Sequence, residues 1–292
     1  MAFPRAAALT RASLARWPLP DPGADADKEV RGRVLVIAGS SETPGAALLA
    51  GTAALRAGAG KLTIASPACI ATGLALAMPE SRVIALPETR GGGLAARGCE
   101  ALAPLAAQVG AVVVGPGLCD ERASMAFVRR LLPLFRACTV VLDSIAMSVA
   151  AEEGFDQPVL LTPHAGEMAT LCALPKALIT KEALHVACEA AMRWRACVVL
   201  KGASTVIATP QGRAWRFHGS TPGLATSGSG DVLAGLMGGF AARGMPPEQA
   251  AAWAVVAHAT AGQRLGRRVG PLGFLARELA GEVPGLLREI GR

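Results

Sequence analysis

A short run of Val, Leu, Ile and Ala, closed at once by a turn or polar residue, recurs along this chain and limits its fold more than any other feature. The runs are Arg33-Val34-Leu35-Val36-Ile37-Ala38 before Gly39-Ser40-Ser41, Lys61-Leu62-Thr63-Ile64-Ala65-Ser66, residues 82–86, and Ala111-Val112-Val113-Val114 before Gly115-Pro116-Gly117. Thr139-Val140-Val141-Leu142 before Asp143, Val159-Leu160-Leu161 before Thr162-Pro163-His164, and Val198-Val199-Leu200 before Lys201-Gly202 continue the series. Most are apolar throughout, as strands buried on both faces are. Helical stretches at 44–56, 123–134, 181–193 and 248–265 lie between them. Strand, helix and strand over 33–66 make a βαβ unit, so the chain reads as α/β: a central, mostly parallel sheet with helices on both faces, three layers deep. Residues 204–208 and 213–217, joined by Pro210-Gln211-Gly212, read as an antiparallel hairpin on the sheet's edge. Residues 1–32 read as a short helix around 9–16 and then a loop.

The 292 residues are 52% hydrophobic and 17% charged, enough for a large core, and no composition break marks a second domain. One domain over 1–292 is expected. Gly58-Ala59-Gly60-Lys61 is not a P-loop, because Leu55 stands at the first glycine and Leu62 where a Mg²⁺-binding hydroxyl belongs. The net charge of +7 is scattered, a mild bias toward anionic small molecules, and the absence of Tyr argues against a nucleic-acid platform. Seven cysteines without metal or disulfide spacing fit a reducing cytoplasm. Arg5, Arg11 and Arg16 resemble a transit peptide only superficially, and no stretch reads as a membrane span, so a soluble cytoplasmic protein is expected.

The chemistry concentrates in Thr221-Pro222-Gly223-Leu224-Ala225-Thr226-Ser227-Gly228-Ser229-Gly230-Asp231, which runs straight into apolar residues at helical spacing (232, 233, 236, 237, 240). Glycine amides ahead of a helix N-terminus attract phosphate. Asp231, read as the N-cap, would repel that phosphate unless it handles a proton or a metal. The other unusual residues, Gly39-Ser40, Gly115-Pro116-Gly117, Asp143, His164 with Glu167, and Lys201, all fall just past strand C-termini. That is the ligand-binding edge of an open α/β sheet, so they compose one site. Asp143 alone reads equally well as a turn residue. His185, His218 and His258 receive no role.

These motifs, in this order over residues 30–245, resemble the ADP/ATP-dependent NAD(P)H-hydrate dehydratase family of the ribokinase-like superfamily. They are Gly45-Ala46 leading into Ala53-Ala54-Leu55-Arg56-Ala57-Gly58-Ala59-Gly60, then Val114-Gly115-Pro116-Gly117-Leu118, Val141-Leu142-Asp143, and Leu161-Thr162-Pro163-His164-Ala165-Gly166-Glu167. Leu200-Lys201-Gly202-Ala203-Ser204-Thr205-Val206-Ile207 and the stretch from Gly223 through Asp231 to Gly235 complete the set. The resemblance implies a ribokinase-like fold and repair of hydrated NADH and NADPH. ADP or ATP phosphorylates the ring hydroxyl, and loss of phosphate restores the ring. It implies Asp231 as general base, and Gly228, Ser229 and Gly230 as an anion hole formed by their amides. It implies Lys201, Gly202, Ala203, Ser204 and Thr205 beside the AMP part of the nucleotide, and Ala46, Gly117, His164 and Asp231 against the hydrated dinucleotide. Glu167 is similar to a superfamily glutamate associated with Mg²⁺ and phosphate, with His164 in place of the usual Asn. A homo-oligomer, often a tetramer, is also implied. Relatives often carry an N-terminal epimerase domain, for which 32 residues before the first βαβ unit are too few, so a separate epimerase is expected.

The chain departs from the family pattern in four places. Ile145 replaces a second Asp, Ala165 a Pro, Ser227 a Gly and Thr221 an Asn. Two other readings compete: a ribokinase-like kinase of a small thiamine-pathway heterocycle, and a nucleotide-binding regulator without turnover. The Ala-Leu-Arg-Ala-Gly-Ala-Gly and Thr-Pro-His-Ala-Gly-Glu stretches favour the dehydratase over the first, and Asp231 argues against the second.

Overall fold

The computed structural model describes residues 5–21, 23, 27–152 and 154–290. Residues 1–4, where the arginine-bearing N-terminal stretch begins, lie outside them. Ala7–Leu9 (β1) and Arg11–Leu14 (α1) precede the first βαβ unit, Arg33–Ile37 (β2), Gly45–Arg56 (α2) and Lys61–Pro67 (β3). Next come Ala68–Ala77 (α3), Ser81–Leu86 (β4), Ala111–Val114 (β5), Glu121–Leu131 (α4), Thr139–Leu142 (β6) and Val159–Leu161 (β7). Ala165–Cys172 (α5), Lys176–Lys181 (α6), Ala183–Trp194 (α7) and Cys197–Leu200 (β8) lead to the hairpin of Ser204–Ala208 (β9) and Ala214–His218 (β10). Ser229–Ala242 (α8), Pro247–Arg268 (α9) and Ala276–Ile290 (α10) close the chain.

The strands form one sheet in the order β1-β10-β9-β8-β7-β6-β5-β2-β3-β4. Pairing is parallel from β8 across to β4, while β9 pairs antiparallel with both β8 and β10. Alternate residues of each strand feed opposite layers, which is why whole runs are apolar. Val34, Val36, Val113 and Val141 pack under α2, α3, α8, α9 and α10. Leu35, Ile37, Val112, Val114, Val140 and Leu142 pack under α4 to α7 and the 3₁₀ helices Ala96–Leu105 and Ser144–Ala151. The three-layer α/β/α reading holds. Helix α8 presses so closely on α2 that a Cβ at Gly235 would lie 2.2 Å from the Ala50 carbonyl oxygen. Among the described residues no helix is long and apolar enough to cross a membrane.

Two expectations fail at the ends of this sheet. The N-terminal helix is only Arg11–Leu14, because Thr10 caps it through Ser13, and Ala7–Leu9 instead pairs in parallel with Trp215 to Phe217. The hairpin strand β10 is therefore covered by β1 and is not the edge. The helix expected at 181–193 is present as α7, Ala183–Trp194, with Lys181 ending the short α6 ahead of it.

Candidate active site

The strand ladder continues just past the strand ends, so backbone bonds fix the loops that carry the polar residues. Gly115 N donates to Ile37 O, Asp143 N to Val114 O (2.9 Å), and Lys201 N to Pro163 O (2.8 Å). His164 and Lys201 face each other as an isolated parallel bridge. The switch point between β2 and β5 is closed by Gly39 N donating to Pro116 O at 2.8 Å.

This edge assembles a charge cluster. Asp143 is 3% exposed; its Oδ1 accepts from Thr162 Oγ1 at 2.5 Å and from Lys201 Nζ at 3.4 Å. Asp143 makes no side-chain cap to the following 3₁₀ helix, so its carboxylate belongs to the site and not to a turn. Lys201 Nζ also lies 3.8 Å from Glu167 Oε2. Breaking one partner of such a sequestered pair costs about 3–5 kcal/mol. Ile145 is absent from the cavity wall, so the ionic arrangement rests on the retained Asp143.

His164 is the N-cap of α5. Its Nδ1 accepts from Gly166 N (2.9 Å) and Glu167 N (3.1 Å), while Glu167 Oε2 accepts from His164 N (2.7 Å) in a capping box. An imidazole nitrogen thus does what an Asn side-chain oxygen would do there.

Asp231 is not the N-cap of α8. Gly228 is, with φ +84°, a left-handed conformation that glycine reaches freely, so the helix starts at Ser229 and Asp231 is its third residue. Asp231 still lies in the first turn, where a carboxylate is favoured by the helix dipole. Lys201 reaches the same turn, since a Cβ at Gly230 would come within 3.5 Å of its Nζ. Burial, then the Asp143 charge, push the Asp231 carboxyl up to about 7, with Lys201 opposing them. The Ser229 amide is already committed to Thr226 O at 3.3 Å, which removes it from the expected set of anion-binding amides.

A cavity of about 740 Å³ opens over this turn. Of the sequence-predicted residues, Asp143, His164, Glu167, Lys201, Gly202, Ala203, Thr205, Ser229, Gly230 and Asp231 line it, but Ser204 and Gly228 do not. Ala46 and Gly117 are brought together elsewhere: a Cβ at Gly117 would fall 2.5 Å from Ala46 Cβ, and Thr43 Oγ1 donates to Gly117 O at 2.8 Å. This pair adjoins α8 from the α2 side, where Leu49 packs on Gly228. The cavity's far wall is apolar, with Leu224, Leu233, Val255 and Ala259. Sequence reasoning missed several polar contributors, among them Ser220 on the cavity wall and Thr162 behind Asp143. Thr162 was legible from its place in Thr-Pro-His, and Ser144, at φ +52°, from following Asp143. His258, alone on a buried helix, gave no signal.

The raised carboxyl has a kinetic consequence. With Asp231 in the general-base role expected from the sequence, the carboxyl must be ionised, so kcat/KM should rise with pH through about 7 and level off above it. Asp143→Asn removes a raising charge and should move the midpoint down, whereas Lys201→Met should move it up; a pH–rate series on the three proteins checks both signs.

Residues 34–284 match the family described as NAD(P)H-hydrate dehydratase. The chain is 48% identical over its full length, and the relative's, to the ADP-dependent (S)-NAD(P)H-hydrate dehydratase of Xanthomonas campestris pv. campestris. It is 38% identical to the bifunctional NAD(P)H-hydrate repair enzyme of Moorella thermoacetica, of which it spans 54%. The ADP/ATP-dependent NAD(P)H-hydrate dehydratase of Bacillus subtilis, co-crystallised with ATP and Mg²⁺, superimposes with a TM-score of 0.86 at 29% identity, over 98% of this chain and 99% of that one. A ribokinase-like sheet, a carboxylate beside an open helix N-terminus and a full-length match converge: the chain belongs to the NAD(P)H-hydrate dehydratase family.

Proposed function

We propose that this chain removes water from the S epimer of hydrated NADH and NADPH at the expense of ADP or ATP. The observation that carries the reading is Asp231, its carboxyl raised to about 7, in the first turn of a helix that opens onto the cavity. A carboxylate there takes the ring hydroxyl's proton as the oxygen attacks the terminal phosphoryl group. The bond from phosphorus to the nucleotide breaks, and AMP or ADP leaves. The ring carbon then loses phosphate with its electron pair, a neighbouring carbon loses a proton, and the ring double bond returns. Gly228 and Gly230 amides receive the phosphoryl charge, and Lys201, Gly202, Ala203, Ser204 and Thr205 border the AMP part. His164, Ala46 and Gly117 hold the dinucleotide.

Mg²⁺ binds with one or two carboxylates, nucleotide phosphates and water. Glu167 fits that role: its Oε2 is spent on the His164 amide, which leaves Oε1 for a metal-bound water. Mg²⁺ would offset the charge of the nucleotide phosphates. We assign the protein to the cytoplasm, in keeping with seven free cysteines, and to a homo-oligomer, often a tetramer in this family, in keeping with exposed Val269, Leu272 and Leu275.

One site that aligns a single hydroxyl with Asp231 accepts a single epimer. Given racemic hydrate and excess nucleotide, the chain should consume the S form quickly and then stall until a separate epimerase, or spontaneous epimerisation, supplies more. Chromatography that resolves the epimers tests this; loss of both at matched rates, with no epimerase present, overturns the single-epimer reading.

A further inference from the structure

We propose that the Ser229 hydroxyl donates a hydrogen bond to the transferring phosphoryl group, and that His258 on α9 is a positioning residue that fixes the direction of that hydroxyl. The proposal rests on the reading that the N-terminus of α8 receives the nucleotide phosphate. Ser229 is the first residue of α8 and lines the cavity, yet its amide is tied to Thr226 O at 3.3 Å. What it offers an anion is therefore its side chain. Ser229 Oγ lies 3.0 Å from His258 Nε2, and the same Nε2 lies 3.0 Å from the Ser229 carbonyl oxygen. A carbonyl oxygen only accepts, so Nε2 carries a hydrogen and shares it between the two oxygens. A bare Nε2 would set its lone pair against the carbonyl's at the same distance.

Ser229 Oγ is thus an acceptor on its His258 side, and its own hydrogen turns the other way, toward the cavity. Donors run in one direction, from His258 to Ser229 to the anion, and no covalent bond changes. A neutral imidazole carries a single ring hydrogen, and these contacts place it on Nε2. Burial of His258, with a smaller push from the Lys201 charge, lowers it to about 4, so it stays neutral at any pH where Asp231 is ionised. A hydroxyl held this way in a water-poor turn is worth most where charge develops during transfer. Its loss should therefore fall on kcat more than on nucleotide binding.

The test compares wild type with Ser229→Ala, His258→Phe, the double variant and His258→Gln, measuring kcat, nucleotide KM and melting temperature. Ser229→Ala should lower kcat about 10- to 100-fold with nucleotide KM nearly unchanged. His258→Phe should lower it comparably, the double variant should be little worse than either single, and His258→Gln, which restores an N–H donor, should recover most of the loss. Nitrogen-15 NMR of wild type between pH 6 and 8 should show the His258 hydrogen on Nε2. A Ser229→Ala kcat within about twofold of wild type overturns the hydroxyl's role. Multiplied effects in the double variant, or the hydrogen on Nδ1, overturn the directing role of His258. Should His258→Phe not fold, Ser229→Ala and the NMR measurement still decide. Failure of the functional reading looks different, because wild type itself would then show no nucleotide-dependent turnover.

Discussion

Asp231→Asn should lower kcat by about 10²-fold or more while nucleotide affinity changes little, because the amide keeps the carboxylate's shape and its place in the first turn but cannot take a proton. The same substitution should stabilise the fold at alkaline pH. Burial and the Asp143 charge raise the folded carboxyl from 3.8 to about 7. The advantage of the protonated form is therefore complete below the unfolded value and lost as pH rises through about 7. Above that, wild type bears a poorly solvated charge that the Asn variant lacks. Thermal melts should place Asp231→Asn above wild type at pH 8, with the gap closing toward pH 5. Near-normal turnover would remove Asp231 as the base, and equal melting at both pH values would remove the buried charge.

Gly115→Ala should cost about 3 kcal/mol or more and lower the melting temperature by roughly 5–10 °C. Gly115 follows β5 at φ +128°, outside what a side chain tolerates, and a Cβ there would lie 1.9 Å from the Asp143 carbonyl oxygen. The clash is with backbone, so no rotamer relieves it. Its neighbour is the residue that grips Lys201 and Thr162, so the damage should reach the site as well as the core: nucleotide KM should rise with the fall in stability. A variant melting with wild type would mean that the loops after β5 and β6 do not meet as described.

Much of this was legible because the sheet is buried on both faces. Apolar runs such as Val112-Val113-Val114 admit few other readings, and the polar residues after them could only gather at one edge. The failures have physical causes. Strand β1 is three residues long, too short for any periodicity, and is defined by its pairing with Trp215 to Phe217. The start of α8 was misplaced because a glycine-rich approach leaves several residues able to begin a helix; the left-handed Gly228 decided it. Ile145 looked like a lost site carboxylate, but the wall is formed by Asp143 and Ser144. The family resemblance put Ala46 and Gly117 in the same site as Lys201, but not on the α2 side of α8.

The most direct measurement mixes purified protein with chemically hydrated NADH and follows the absorbance of the reduced nicotinamide, with ADP, with ATP and with neither, while inorganic phosphate is assayed in parallel. Absorbance should recover only when nucleotide is present, with one phosphate released for each ring restored. Recovery without nucleotide, or nucleotide consumed while a phosphorylated product accumulates and absorbance stays flat, would contradict the account.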